Sequence, residues 1–546
     1  MDNRSRDAVR RIRPLPVAFG LVVVMALALI AACASSPSDP EATPKAAAGS
    51  ALPASEAGTK PDIEMLSVPK QAGLQHLEYR YGPITIEPGQ NNIDFSGRDV
   101  PKPQVDGSIV AISPDLVRMD GDVPRVDILH LHHGVWSAKS KVAGGRDPVF
   151  GRELFFAAGE EKTKMILPAG YGYPYHASDN WNINYMLHNL LTTPDQVWIT
   201  YDIDFIPSSS PAARNIKPAR PIWLDVQKGS LYPVFDVLKG SGEDGTFTYP
   251  DQADKPYGSG AKLNEWKADR DGVLIAAGGH LHPGGLSVDL FVRRDGAEPT
   301  GAAAPAVESD TAQIFSSKAI YYEPAGAVSW DVSMTVTPPD WRVAVKKGDV
   351  ITISATYDTK RASWYESMGI SVMWITDDAE GEDPFATRVD DVKPVLTHGH
   401  LAENRNHGGV ETDSFVDMSL RPTGPATDKV TIADFTFAPG DMSGIYDDVP
   451  AVKAGARLTF YNTDAPRANG IWHTITACKA PCNRTTGVAY PLADADVQFD
   501  SGELGIAGPP TAGRISWTVP DDLPAGTYTY FCRIHPSMRG AFRITD

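Results

Sequence analysis

One loop near the C-terminus constrains this chain more than any other stretch: Phe531-Cys532-Arg533-Ile534-His535-Pro536-Ser537-Met538. It sets a thiolate, an imidazole and a thioether at i, i+3 and i+6, a spacing that closes around one soft metal ion. His473, within Trp472-His473-Thr474-Ile475-Thr476, supplies a fourth ligand. Two histidines, one cysteine and a weak axial methionine are the ligand set of a blue-copper electron-transfer centre. A buried structural cysteine with unrelated neighbours is the plain alternative, and it leaves the Cys-x-x-His-x-x-Met spacing without a cause. A loop of this kind closes a β-rich domain, so the first expectations are strands and copper.

The remainder of the chain agrees. With 546 residues there is room for about three domains beyond a targeting segment. Glycine (48) and proline (45) are plentiful and long amphipathic helical periods are scarce, which points to sheet with many turns. The net charge of −18 argues against nucleic acid or an anionic membrane surface as a partner. The four cysteines have separate expected fates: Cys33 closes an apolar leader, Cys478 and Cys482 are placed to form a disulfide, and Cys532 binds metal. A disulfide requires an oxidising compartment, as for an exported protein.

Residues 1–33 read as an export signal, with a basic start and an apolar run from Leu15 to Ala32. Ile30-Ala31-Ala32-Cys33 resembles a bacterial lipoprotein cleavage box, in which Cys33 is lipidated. That implies attachment outside the cytoplasmic membrane through a lipid anchor alone. Residues 34–62 are rich in Ala, Ser, Pro and Glu and read as a disordered tether. From 63 to 378, short apolar runs such as Val126-Asp127-Ile128-Leu129 and Val350-Ile351-Thr352-Ile353 alternate with turn signals. The length fits two packed antiparallel sandwiches, taken as 63–230 and 231–378. Residues 379–428 read as a polar connector carrying His398, His400 and His407, and 429–546 as one further sandwich.

Most of the 13 histidines are clustered. They run His130-Leu131-His132-His133, His188, His280-Leu281-His282, the connector trio, His473 and His535. In an extended strand i and i+2 share a face, so His280 and His282 present two imidazoles to one side, ready to chelate copper or zinc. The flanking Gly278-Gly279 and Gly284-Gly285 leave room for close approach to the backbone. His76 and His176 are isolated and read as ordinary polar residues. The connector trio stands between a third metal site, an interdomain docking loop and plain polar residues.

The region from about 120 to 376 resembles the copper type II, ascorbate-dependent monooxygenases, the family of peptidylglycine α-hydroxylating and dopamine β-monooxygenases. The resemblance implies two jelly-roll domains with one copper each, separated by a solvent-filled cleft. It assigns His132, His133 and His188 to an electron-supplying copper, and His280, His282 and Met368 to an oxygen-activating one. The strings Leu286-Ser287-Val288-Asp289-Leu290, Thr356-Tyr357-Asp358-Thr359 and Glu366-Ser367-Met368-Gly369 are also similar to the family's patterns. A thioether suits Cu(I), so Met368 fits the oxygen-facing site, whereas Met373, between Val372 and Trp374, suits a strand core. The departures are Gly278, Ile370 and Val372, where peptide-amidating members carry arginine, asparagine and tyrosine. Recognition of a peptide carboxylate is therefore not expected. His130 and His132 form the same-face pair, so adjacent His132 and His133 share a metal only at a strand end or bulge, and His130 stands as an alternative to His133.

The C-terminal region resembles cupredoxins along nearly all its length, through Phe435, Phe437, Pro439, Gly455, Phe460, Asn462, Asp464, His473, Phe499-Asp500-Ser501-Gly502 and the final loop. No histidine adjoins Cys532, so the Cys-His relay of multicopper oxidases and nitrite reductases is absent. The expected protein is all-β: two jelly-roll sandwiches and a Greek-key cupredoxin. It would use copper, dioxygen, a small-molecule substrate and an external electron donor. Tethering the carrier raises its effective concentration at the enzyme. A non-enzymatic copper-binding or electron-transfer protein at the cell surface is the alternative.

Overall fold

The structure is a computed structural model. It describes residues 63–87, 93–126, 128–139, 152–189, 193–227, 234–238, 240–253, 264–297, 300, 310–322, 331–360, 364–401, 417–442, 446–466, 471–479, 498–506, 513–532, 535 and 538–546. The fold is all-β, and the helical content among the described residues is confined to short 3-10 turns such as Pro211–Asn215. No helix among them is long and apolar enough to cross a membrane.

Strand periodicity is plain in Asp195–Pro207, where Val197, Ile199, Tyr201, Ile203 and Phe205 all point into the core. This strand lies between Gln75–Ile86 and Gly107–Arg118 in the outer sheet of the first sandwich. The facing sheet runs Ile93–Gly97, Asn180–Asn189, Leu129–Lys139, Glu153–Gly159. Leu129–Lys139 is buried along nearly its whole length, because its second face meets the rest of the protein.

The second sandwich is one large wrapped sheet in which Gly272–Leu281 and Gly369–Thr376 pair next to one edge, a central pair only in its contact with the first sandwich. Arg220–Asp225 joins its edge by pairing with Gly369–Thr376, so this sandwich begins before residue 231. Val273, Ile275 and Trp374 of this central pair pack into the core of the first sandwich. The two sandwiches thus share apolar contact instead of facing each other only across solvent.

The C-terminal sandwich has a sheet Thr423–Ala426, Val449–Lys453, Arg539–Thr545, Gly526–Phe531, Thr476–Lys479, Phe499–Asp500 over a four-stranded one containing Lys429–Ala433 and Thr459–Asn462. Its core is aromatic, and it also takes in Met186 from the first sandwich. Residues 379–401 are not merely a polar connector. Phe385, Val389 and Leu401 enter the second core, and Val395–Leu396 pairs with Val332–Val336.

Candidate metal centres

In the C-terminal domain the ligand atoms converge. Nδ1 of His473 and Nδ1 of His535 lie 3.7 and 3.6 Å from Cys532 Sγ and 3.0 Å from each other. Among the described residues this is the one group of His, Cys, Asp or Glu that brings three ligand atoms within 4.8 Å of one another. The backbone N–H groups of Thr474 and His535 both approach the sulfur at 3.4 Å. Burial pushes the Cys532 thiol up, but the two imidazoles beside it carry it well below its ordinary value. A thiolate is the form that ligates metal. Met538, in the same apolar cluster as Cys532, is held by its backbone: its N–H donates to His535 O and its carbonyl accepts from Cys532 N–H.

His473 is oriented from behind. Its Nε2 donates to Asp464 Oδ2 at 3.0 Å, which turns Nδ1 toward the sulfur. Burial works against the Asp464 carboxylate, yet its bond to His473 and the N–H groups of Asp434 and Phe435 hold it far below the usual carboxylate range. Those two donors sit at φ 48 and 58, left-handed conformations that non-glycine residues rarely adopt. The strained turn aims both N–H groups at one carboxylate and lays the Phe435 ring edge-on against His473 and His535.

The upstream histidines form a single buried cluster. His130, His132, His133, His188, His280 and His282 are each at most 6% exposed. In the pairing of Leu129–Lys139 with Asn180–Asn189, the register jumps between Leu131 and His133. His132 is therefore the extra residue of a β-bulge, the device by which adjacent His132 and His133 leave strict alternation. His130 sits directly opposite His188, with Nε2 3.3 Å from His188 Nδ1. His132 contacts His188 at a ring separation of 5.1 Å and His282 at 4.1 Å. The Nε2 atoms of His280 and His282 approach to 3.1 Å.

The open cleft implied by the resemblance is thus not what this chain has between these ligands. His132 of one expected site and His282 of the other are in ring contact, with centroids 4.1 Å apart. The His188 ring lies 5.1 Å from both His130 and His132, so it packs against either histidine of that strand. Burial is the main cause that lowers His130 to about 4 and His133 to about 3, and it carries His132, His188 and His282 well down. Neutral imidazoles keep a lone pair for a metal.

Tyr357 ties His282 to Met368. Its hydroxyl accepts from the N–H groups of His282 and Met368, and donates to Met368 O at 2.5 Å. Met368 is buried beside this junction, whereas Met373 belongs to the second sandwich's apolar core. Sequence reasoning missed Glu161. Its Oε1 lies 2.9 Å from His280 Nδ1, on the far side of the ring from His282. Burial and the neighbouring Glu161 charge push Glu160 well up, while burial of Glu161 is outweighed by His280, which lowers it. Nothing in the Gly159-Glu160-Glu161-Lys162 string marks it as partner to a histidine more than a hundred positions away.

His398 and His400 fasten their segment to the second sandwich. His398 Nδ1 is 3.1 Å from Ser333 Oγ, and His400 Nδ1 pairs with Asp331 while its ring stacks on Tyr322. They behave as a docking strap; His407 lies outside the described residues. So do the leader with Cys33, the tether, Cys482 and the side chain of Cys478.

No protein-family model matches the chain, and no curated protein does. Among solved structures, a copper-containing nitrite reductase from Thermus scotoductus SA-01 is 13% identical over 50% of this chain, with a TM-score of 0.14. The match covers 55% of that enzyme, so the chain spans about half its length. The VP2 subviral particle of infectious bursal disease virus is 10% identical over 61% of this chain and 81% of its own, with a TM-score of 0.16. Similarity at this level carries no functional argument; the chemistry rests on the side chains.

Proposed function

We propose that this chain is an exported, lipid-anchored copper oxidoreductase, a monooxygenase that hydroxylates a C–H bond of a small molecule with electrons entering through its own blue-copper domain. One observation carries the reading: the C-terminal domain packs against the strand that carries His188. Met186 and His188 share a face of one strand; Met186 packs into the C-terminal core, and His188 lies close enough to His535 for their charged forms to repel. When bound, copper supplies one-electron chemistry at the triad and dioxygen activation beside His280 and His282.

The chain's own groups do the remainder. Asp464 orients His473, Glu161 orients His280, and Tyr357 fixes the backbone of Met368 relative to His282. Burial excludes water from the imidazoles. In the overall reaction one oxygen atom enters the C–H bond, and the other leaves as water with protons and electrons from an external donor.

A non-enzymatic copper-binding protein is the second reading. What favours it is that outside the triad the described residues do not bring three ligand atoms within 4.8 Å. Copper analysis with EPR on metal-filled protein separates the two. The monooxygenase should show a blue signal and a type II signal, the latter lost in His280→Ala, with oxygen uptake only when substrate is present. A blue signal alone would sink it.

A further inference from the structure

Between the two sandwiches lies a cavity of about 70 Å³. One water needs roughly 10–15 Å³ on the same measure, so the space is ligand-sized rather than water-sized. Its floor follows from strand pairing. Ala276, Gly278 and His280 alternate along one strand, and their partners across the pair are Trp374, Val372 and Ile370. All six line the cavity, so the imidazole of His280 stands at the end of an otherwise apolar strip. Phe155, Phe156 and Met165 of the first sandwich form the facing wall.

Gly278 keeps the floor low, since a Cβ there would meet Val336 Cγ1, another wall atom, at 2.8 Å. Three polar atoms of the wall make no hydrogen bond among the described residues: Oε2 of fully buried Glu161, Oγ1 of Thr163 and Nδ1 of His280. Their position matters, because Glu161 already touches His280 through its other oxygen. A buried acceptor without a donor is costly, so an occupant that donates one hydrogen bond recovers energy that a pure hydrocarbon does not. The strip is buried and mostly apolar, so a charged occupant loses its hydration without gaining a partner and is disfavoured.

We propose that this cavity is the substrate pocket and that it takes a small, neutral, mainly apolar molecule bearing one hydrogen-bond donor, such as a phenol or a compact alcohol, with the donor facing Glu161. Its role as substrate rests on the function proposed above; its occupancy does not, and is tested without copper.

The test is fluorine NMR on the metal-free full chain with 4-fluorophenol, 4-fluorotoluene and 4-fluorobenzoate as probes. The phenol should bind saturably, the toluene more weakly and the benzoate not at all. Val372→Phe, which fills the floor, should weaken phenol binding at least tenfold, with Ala276→Leu as a second filling variant if the first does not fold. Absence of saturable phenol binding, equal binding in a folded filled variant, or benzoate binding as tightly as phenol would each overturn the pocket. Toluene matching phenol would remove the role of Glu161. The EPR result stands apart from all of these, so a dry pocket and an absent second copper are separate failures.

Discussion

At the scale of single residues, the two proposed centres share one device: a carboxylate beside an imidazole. Asp464 stands behind His473 and Glu161 behind His280. Such partners set the tautomer and ring angle, and losing one typically costs 10–100-fold in metal affinity. Asp464→Ala should therefore weaken copper at the triad by that order and shift its visible spectrum, which a competitive chelator titration followed by absorbance will read. Glu161→Gln should leave that spectrum unchanged and weaken only the second site. The triad itself was legible because a Cys-x-x-His-x-x-Met loop is local. Glu161 was not, because its contact with His280 exists only once two sandwiches have packed.

Among elements, the strap of residues 379–401 is the least expected. Its anchor is Arg294, whose guanidinium makes paired bonds of 2.8 and 2.9 Å to buried Asp349 and of 2.8 and 3.0 Å to Asp383, over the Phe385 ring. Arg294→Ala strands the buried Asp349 charge and should cost about 3 kcal/mol in denaturant unfolding. Burial pushes the Asp383 carboxyl up, but Lys346, the Phe385 N–H and Arg294 together hold it below its ordinary value. A lowered folded value means the contribution is present above the unfolded carboxylate value and is lost as pH falls through the folded one. Asp383 is partly exposed, so this is worth less than about 1 kcal/mol. Asp383→Asn should accordingly lower the melting temperature near neutral pH, with the difference beginning to shrink below about pH 4 and vanishing only below the lowered folded value. Composition made this segment look like a linker, since the large apolar residues it buries, Phe385, Val389, Val395, Leu396 and Leu401, are spaced widely among polar ones.

For the whole molecule, the decisive contact is that of the C-terminal domain with the strand Asn180–Asn189. If Met186 and His188 form the junction, reduction through the blue centre should proceed within one molecule. Stopped-flow reduction should show the blue band bleaching and then recovering as the second copper takes the electron, at a rate independent of protein concentration. Met186→Asp should slow the second phase at least tenfold and leave the blue spectrum intact. A concentration-dependent second phase in the parent protein would disprove the junction.

The sequence by itself determined the all-β class, the His473, Cys532 and His535 set that converges in the C-terminal domain, and the identity of the histidine clusters. Those depend on alternation, turn residues and short spacings, which are properties of adjacent positions. The apolar lining also began there: Gly278, Ile370 and Val372, where the resemblance puts arginine, asparagine and tyrosine, all line the cavity. Only the tertiary structure decided that His132 meets His282, that Glu161 lies against His280 and that Met186 enters the C-terminal core. Each of these contacts joins residues from different sheets or sandwiches, and close packing of buried faces brings them together where no local pattern can.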